Sequence, residues 1–154
     1  MTLKETIQAD MKAAFKAGDQ TTRGTLSLLL SVIQNRELAK RAKTGVPAEL
    51  TEEEVVEAVS SEIKKRKESI ATYEAGGRPE LAASESAELA VLQKYMPAQI
   101  SEDEVRKLIA DALAATGASG AAGIGKVMGK IAPAIKGKFD GARANALVKE
   151  ALGA

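Results

Sequence analysis

The densest group of residues able to bind a charged ligand lies at residues 123–141, GIGKVMGKIAPAIKGKFDG, where lysines alternate with glycines. Ammonium groups attract anions, and glycine lacks a side chain, so a large anionic partner can approach the backbone closely. Phosphate groups suit this combination, because cations and exposed backbone N–H groups both bind phosphate oxygens. We therefore predict a nucleic-acid-binding surface formed by Lys126, Lys130, Lys136, Gly137, Lys138 and Arg143.

The same lysines are also explained by a solvated face that keeps a small, alanine-rich bundle soluble. The whole chain has 22 basic and 21 acidic residues, so its net charge of +1 does not indicate a nucleic-acid-binding protein. From Thr116 onward, however, six basic residues stand against two acidic ones, a balance of +4. This local excess favours an anionic partner. Phosphates and shape would dominate its recognition, because no aromatic pair is available to stack on bases.

A second basic run occurs farther upstream, and its structural interpretation is the stronger one. Glu62 and Arg66 are four residues apart, as are Lys64 and Glu68, so both pairs can form ion pairs along a helix. Long basic side chains at the edge of a core also commonly lie over apolar neighbours. A secondary phosphate-binding patch remains the alternative interpretation of Lys64, Lys65, Arg66 and Lys67.

No catalytic, metal or cofactor site is predicted. The chain has no histidine and no cysteine, which excludes imidazole acid–base catalysis, thiolate chemistry and Cys/His zinc sites. The acidic runs at residues 52–54 and 102–104 follow Thr51 and Ser101, so the dipole of a helix N-terminus explains them. The segment GIGKVMG lacks the GxxxxGK[ST] pattern of a phosphate loop, and Ser60 with Lys64 is a weak nucleophile–base pair.

Helices must position these residues, since no segment alternates with period two for long enough to form a strand. In the first helix, Leu3, Ile7, Met11 and Phe15 are predicted to form the apolar face. Capping residues and prolines mark the helix starts. The expected helices begin at or near Thr2, Thr22, Thr51, Pro79, Ser101, Ser119 and Asp140.

Pro97 marks the best boundary in the chain, because proline disfavours helical geometry at the preceding Met96. We predict an all-α protein with a four-helix N-terminal domain, residues 1–96. A proline hinge joins it to a small three-helix C-terminal bundle, residues 97–154. Pro133 is expected to end or kink the sixth helix unless it restarts a turn.

The sequence also carries expectations about cellular location. No apolar run approaches the roughly 18 residues of a membrane span. The first ten residues carry charges where a signal peptide has its hydrophobic segment. A cytoplasmic protein without membrane contact is therefore expected.

Three segments in this order resemble the YqeY family, the free-standing members of the GatB/YqeY group. They are EIKKRKESIATYEAGGRPEL, LQKYMPAQISEDEV and GIGKVMGKIAPAIKGKFDG. The C-terminal bundle of this family resembles the tail domain of GatB, a subunit of the glutamine-dependent tRNA amidotransferase, where the tail helps to hold the tRNA. The resemblance falls on Gly125, Lys126, Val127, Met128, Lys136, Gly137, Lys138 and Asp140.

Three functions follow as expectations from this resemblance and from the residues. The first is a tRNA-associated binding protein that is not catalytic on its own. The second is an adaptor that docks on an amidotransferase or aminoacyl-tRNA synthetase complex. The third is carbon–nitrogen ligase activity with glutamine as the nitrogen donor, but no nucleophile, metal cluster or ATP site in the sequence supports it.

Overall fold

The computed structural model describes residues 1–153, which form α-helices and contain no β-strand. The all-α prediction is confirmed. The chain divides into two compact units, one from Met1 to Met96 and one from Pro97 onward. The helices are α1 (Leu3–Ala17), α2 (Gln20–Thr44), α3 (Glu52–Ala75), α4 (Pro79–Gln93), α5 (Glu102–Thr116), α6 (Gly123–Ile135) and α7 (Gly141–Leu152).

Side-chain caps fix most of the helix starts. Thr2, Thr51 and Ser101 each form a capping box with the glutamate three residues later, which satisfies two backbone N–H groups at each helix start. Asp19 and Asp140 cap α2 and α7 by accepting the N–H three residues on. In α6, Ala122 provides no such cap.

The first unit has its own apolar core between α1, α2, α3 and α4. Ile7 from α1, Leu29 from α2 and Leu92 from α4 are almost completely buried there. Val55 and Val59 of α3 complete the same cluster. Packing of these side chains, rather than helix propensity alone, holds the four helices together.

The second unit buries one stripe from each of α5, α6 and α7. Val127, Ile131 and Ile135 lie at four-residue intervals on α6, and each is at most 4% exposed. They pack with Val105 of α5 and Leu147 of α7. Because this stripe faces the core, the opposite side of α6 faces solvent.

The sixth helix begins later than predicted and does not end at Pro133. It begins at Gly123 rather than near Ser119, after a turn in which Gly120 has φ +65°. It also passes through Pro133 and ends at Ile135, with the Lys136 N–H donating to the Ala132 carbonyl at 3.0 Å. Proline lacks only its own N–H, so a proline within one turn of a helix end removes a single internal hydrogen bond from that helix.

None of the described helices carries an apolar stretch of the length and hydropathy needed to cross a membrane.

Candidate nucleic-acid interface

Lys126 and Lys130 lie one helical turn apart on the solvent-facing side of α6, and both are exposed. Residues four apart on a helix are neighbours, so the two ammonium groups share one face. Within residues 1–153, neither ammonium group forms an ion pair with a carboxylate. Two adjacent cations without a protein counter-ion leave their charge available to an anion in solution.

Glycines expose the backbone of the same helix beside these lysines. A Cβ atom added at Gly125 or Gly129 would meet nothing within 4 Å, so neither glycine is needed for packing. Gly123 is different, because its Cβ would lie 3.0 Å from the Ala118 Cβ. Glycine inside a helix is destabilising relative to alanine, by about 0.5–1 kcal/mol. Internal packing therefore gives no reason for either glycine, and Gly129, three residues after Lys126, lies on the same face as that lysine.

Gly137 has a conformational role. Lys136 has φ −57° and ψ 120°, Gly137 has φ +73°, and the Lys138 N–H donates to the Ile135 carbonyl at 2.8 Å. These values define a type II turn, whose third position requires a positive φ and therefore favours glycine. Gly137 is thus explained by the turn without any contact to phosphate.

The same turn is held against the segment that precedes α5. The Gly137 carbonyl accepts a hydrogen bond of 2.9 Å from the Gln99 amide, and the Lys138 carbonyl accepts one of 3.0 Å from the Ile100 N–H. The backbone around Lys138 is therefore fixed, while its side chain is exposed and makes no ion pair within the described part of the chain. Lys136 is also exposed.

Arg143 is engaged by a carboxylate. Its Nη2 and Nε donate to the two oxygens of Glu102 at 2.7 and 3.2 Å, which is a two-point pairing of guanidinium and carboxylate. Arg106 donates to the same carboxylate at 3.0 Å and to Glu150 at 3.3 Å. The hydrogen bond from Arg143 holds the pKa of Glu102 below its usual value. A phosphate would have to displace Glu102 to use Arg143.

The upstream basic run divides into one embedded and three exposed side chains. Arg66 is 12% exposed and lies 2.9 Å from Glu88, 3.4 Å from Glu85 and 3.6 Å from Glu62. Glu62 is buried and also accepts a hydrogen bond from Lys65 at 3.0 Å. The pairing of Glu62 with Arg66 has the four-residue spacing noted in the sequence. Arg66 therefore links α3 to α4, and the exposed members of the run are Lys64, Lys65 and Lys67.

The carboxylates at the helix starts have structural partners. Glu52 accepts the Leu3 N–H at 3.1 Å, and Glu54 accepts hydrogen bonds from the Thr51 N–H and from Lys40, each at 2.7 Å. The bond from Lys40 keeps the pKa of Glu54 low. No group of three or more acidic residues within residues 1–153 is arranged to hold a metal ion.

Phe15 does not lie in the core, contrary to the prediction for α1. It is 63% exposed, and the Arg23 guanidinium carbon lies 4.7 Å from the centre of its ring. Steps of four residues advance about 40° around a helix, so a stripe that begins at Leu3 rotates away from the core before it reaches Phe15. Ala14 is buried in its place. In the sequence, the contact between this ring and the guanidinium was indicated only by Phe15 at the edge of the apolar face of α1 and by Arg23 near the start of α2.

Comparison with known proteins gives a consistent family match. The family model described as Yqey-like protein matches residues 4–152. "Altered inheritance of mitochondria protein 41, mitochondrial" from Saccharomyces cerevisiae (strain ATCC 204508 / S288c) is 28% identical over 130 residues, which are 81% of this chain and 68% of the relative. The protein of the same name from Pyrenophora tritici-repentis is 28% identical over 152 residues, which are 96% of this chain and 80% of the relative.

These relatives correct the prediction of location. Their names describe them as mitochondrial, so the prediction of a cytoplasmic protein is wrong by this comparison. That prediction depended on the absence of a hydrophobic signal segment and of a membrane span. Neither absence distinguishes the cytoplasm from the interior of an organelle.

Proposed function

The chain belongs to the YqeY family, and on that premise we propose that it is an RNA-binding accessory protein that contacts folded tRNA through α6 and the turn that follows. The binding surface consists of Lys126, Lys130 and Lys138 together with the exposed glycines of α6. The protein binds without catalysing a reaction of its own. The resemblance of its C-terminal segment to the GatB tail is the reason for naming tRNA.

One observation carries this proposal: the exposed, unpaired Lys126 and Lys130 lie one turn apart on α6, and Lys126 shares its face with Gly129, a helix-interior glycine that has open space around it. Lysines alone would serve solubility equally well. Glycines alone would only weaken the helix. Together they provide cations and a thin backbone surface, which suits the closely spaced phosphates and the 2′-hydroxyl groups of an RNA helix.

The other basic residues take smaller parts in this surface. Arg143 contributes only if a phosphate displaces Glu102, because that carboxylate occupies its guanidinium at 2.7 Å. Gly137 shapes the turn that presents Lys138. In the upstream run, Lys64 and Lys67 are exposed, whereas Arg66 is surrounded by carboxylates.

A titration of folded tRNA with the full chain at two salt concentrations tests the proposal. Each phosphate contact contributes about 0.7–0.9 to the slope of log affinity against log salt. The double variant Lys126→Gln/Lys130→Gln should therefore bind more weakly, with the slope reduced by about 2. Lys107→Gln/Lys149→Gln removes the same charge from exposed positions in the same unit and should bind like the wild type.

Three results would contradict the proposal. The first is equal loss of binding in both double variants, which would indicate non-specific attraction to net charge. The second is salt-insensitive association with a protein and none with tRNA, which would favour an adaptor. The third is glutaminase or transamidation activity in the purified chain, which would favour the ligase alternative.

A further inference from the structure

The outer face of α2 carries a second feature that goes beyond the proposed function. A shallow, open groove of about 460 Å³ runs along the solvent side of this helix. It lies in the first unit, among residues to which the tRNA proposal assigns nothing. Its lining residues are Gln20, Arg23, Gly24, Ser27, Leu28 and Ser31.

Arg23 lines the groove, and a contact with an aromatic ring restricts its side chain. Its guanidinium stacks over the Phe15 ring at 4.7 Å, which restricts the side chain to one region. Within residues 1–153 the guanidinium forms no hydrogen bond and no ion pair, so its N–H donors remain available at the edge of the stack. A planar cation that is fixed in place and keeps its donors is suited to a phosphate group.

The rest of the groove combines open space with polar and apolar side chains. Gly24 leaves the floor open, since an added Cβ there would meet nothing within 4 Å. Leu28 provides an apolar contact and is 49% exposed. Ser27 and Ser31 are exposed on adjacent turns. The Ser31 hydroxyl donates to the Ser27 carbonyl at 3.1 Å and can accept a further hydrogen bond, whereas the Ser27 hydroxyl can donate and accept.

The charge around the groove agrees with an anionic ligand. Arg23 is the single charged residue among those that line the groove. Asp19 is itself occupied as the N-cap of α2, where it accepts the Thr22 N–H at 3.0 Å. An acidic peptide would satisfy Arg23, but it would leave unused the apolar contact with Leu28 that suits a base.

We propose that this groove binds one unpaired nucleotide of a single-stranded RNA segment. Arg23 holds the phosphate, and the base lies across Gly24 against Leu28. Phe15 is a positioning residue, since it acts by holding Arg23 rather than by touching the base. The site lies on α2 of the first unit and uses no residue of α6, so a variant can remove either site without changing the residues of the other.

The test uses the full chain and a fluorescein-labelled single-stranded oligouridine of about eight nucleotides, followed by fluorescence anisotropy. Gly24→Gln fills the groove and should weaken binding about tenfold or more, while raising the melting temperature because glutamine favours a helix more than glycine does. Arg23→Gln should weaken binding to a similar degree. Arg41→Gln removes an equal charge from an exposed position on the same helix and should change affinity less than about twofold.

Each outcome supports or overturns the inference. The inference is supported if Gly24→Gln and Arg23→Gln selectively weaken oligouridine binding, and if they do so equally in a protein that also carries Lys126→Gln/Lys130→Gln. The inference is overturned if Gly24→Gln binds oligouridine with wild-type affinity, or if Arg41→Gln loses as much oligouridine affinity as Arg23→Gln does. The absence of oligouridine binding by the wild type, or tighter binding of free AMP or of an acidic peptide at the same residues, also overturns it. Loss of tRNA binding in the α6 variant alone bears on the proposed function and leaves this site standing.

Discussion

Replacing Gly129 by alanine should stabilise the second unit. Gly129 lies in the middle of the 13-residue helix α6, its φ is not in the left-handed region, and an added Cβ would meet nothing within 4 Å. Alanine is favoured over glycine in a helix interior by about 1 kcal/mol. No contact in the structure opposes that gain. For a unit of this size, about 1 kcal/mol raises the melting temperature by about 4–8 °C.

Gly125 and Gly123 of the same helix provide a graded comparison. Gly125→Ala should give a smaller gain, because Gly125 lies in the first turn, where helices fray. Gly123→Ala should give no gain or a loss, since its Cβ would lie 3.0 Å from the Ala118 Cβ and 3.5 Å from the Leu152 Cδ2. Ala118 would have to move by a few tenths of an ångström to accept it.

Native-state hydrogen exchange of amides in α6 and α7 is the appropriate measurement, because it reports on the second unit within the full chain. A gain of about 1 kcal/mol corresponds to about a fivefold slower exchange of amides that open with global unfolding of the unit. Equal stabilisation by Gly123→Ala and Gly129→Ala would refute the distinction between packed and open glycines. A loss of stability in Gly129→Ala would show that the outer face of α6 contacts another part of the protein.

Further changes test the polar contacts of each unit. Arg66→Ala should destabilise the first unit by about 3 kcal/mol, because it removes one partner of the buried Glu62, whereas Lys67→Ala should stay within about 0.5 kcal/mol in urea unfolding. The folded-state pKa of Glu102 is lowered from 4.5, so its contribution to stability is present above that pH and is lost as the pH falls through the folded value. Glu102→Gln should therefore flatten the pH dependence of the melting temperature below about pH 5. Gly137→Ala should cost about 1–2 kcal/mol, measured by urea unfolding, because alanine is strained at φ +73°.

Most of the fold could be predicted from local signals. The capping boxes at Thr2, Thr51 and Ser101 fix three helix starts, because a hydroxyl and a glutamate three residues apart satisfy the same N–H groups in any context. The start of α6 lacks such a cap and was predicted about four residues too early. The burial of Phe15 was predicted wrongly for a different reason, because a stripe with four-residue spacing rotates about 40° around the helix at each step.

The candidate site was less predictable, because sequence gives the charges but not their partners. Arg143 and Glu102 are 41 residues apart, and nothing local indicates that the guanidinium and the carboxylate meet. Arg66 and Glu88 belong to different helices, so only the packing of α3 against α4 brings them to 2.9 Å. The division of the basic residues into paired and unpaired groups is therefore a property of the tertiary structure.

That division changes what the positive charge of the second unit can do. The net charge of +4 from Thr116 onward counts Arg143 and Lys126 equally. The Arg143 guanidinium, however, is already paired with the Glu102 carboxylate, whereas no carboxylate within residues 1–153 pairs with Lys126. Releasing an arginine from a two-point pairing requires a phosphate to compete with that pairing, whereas the α6 lysines exchange only water and mobile ions. RNA affinity should therefore depend on the α6 lysines first. If Arg143→Gln weakened tRNA binding more than Lys126→Gln/Lys130→Gln does, the pairing with Glu102 would have to open in the complex, and the surface would extend across α5 and α7.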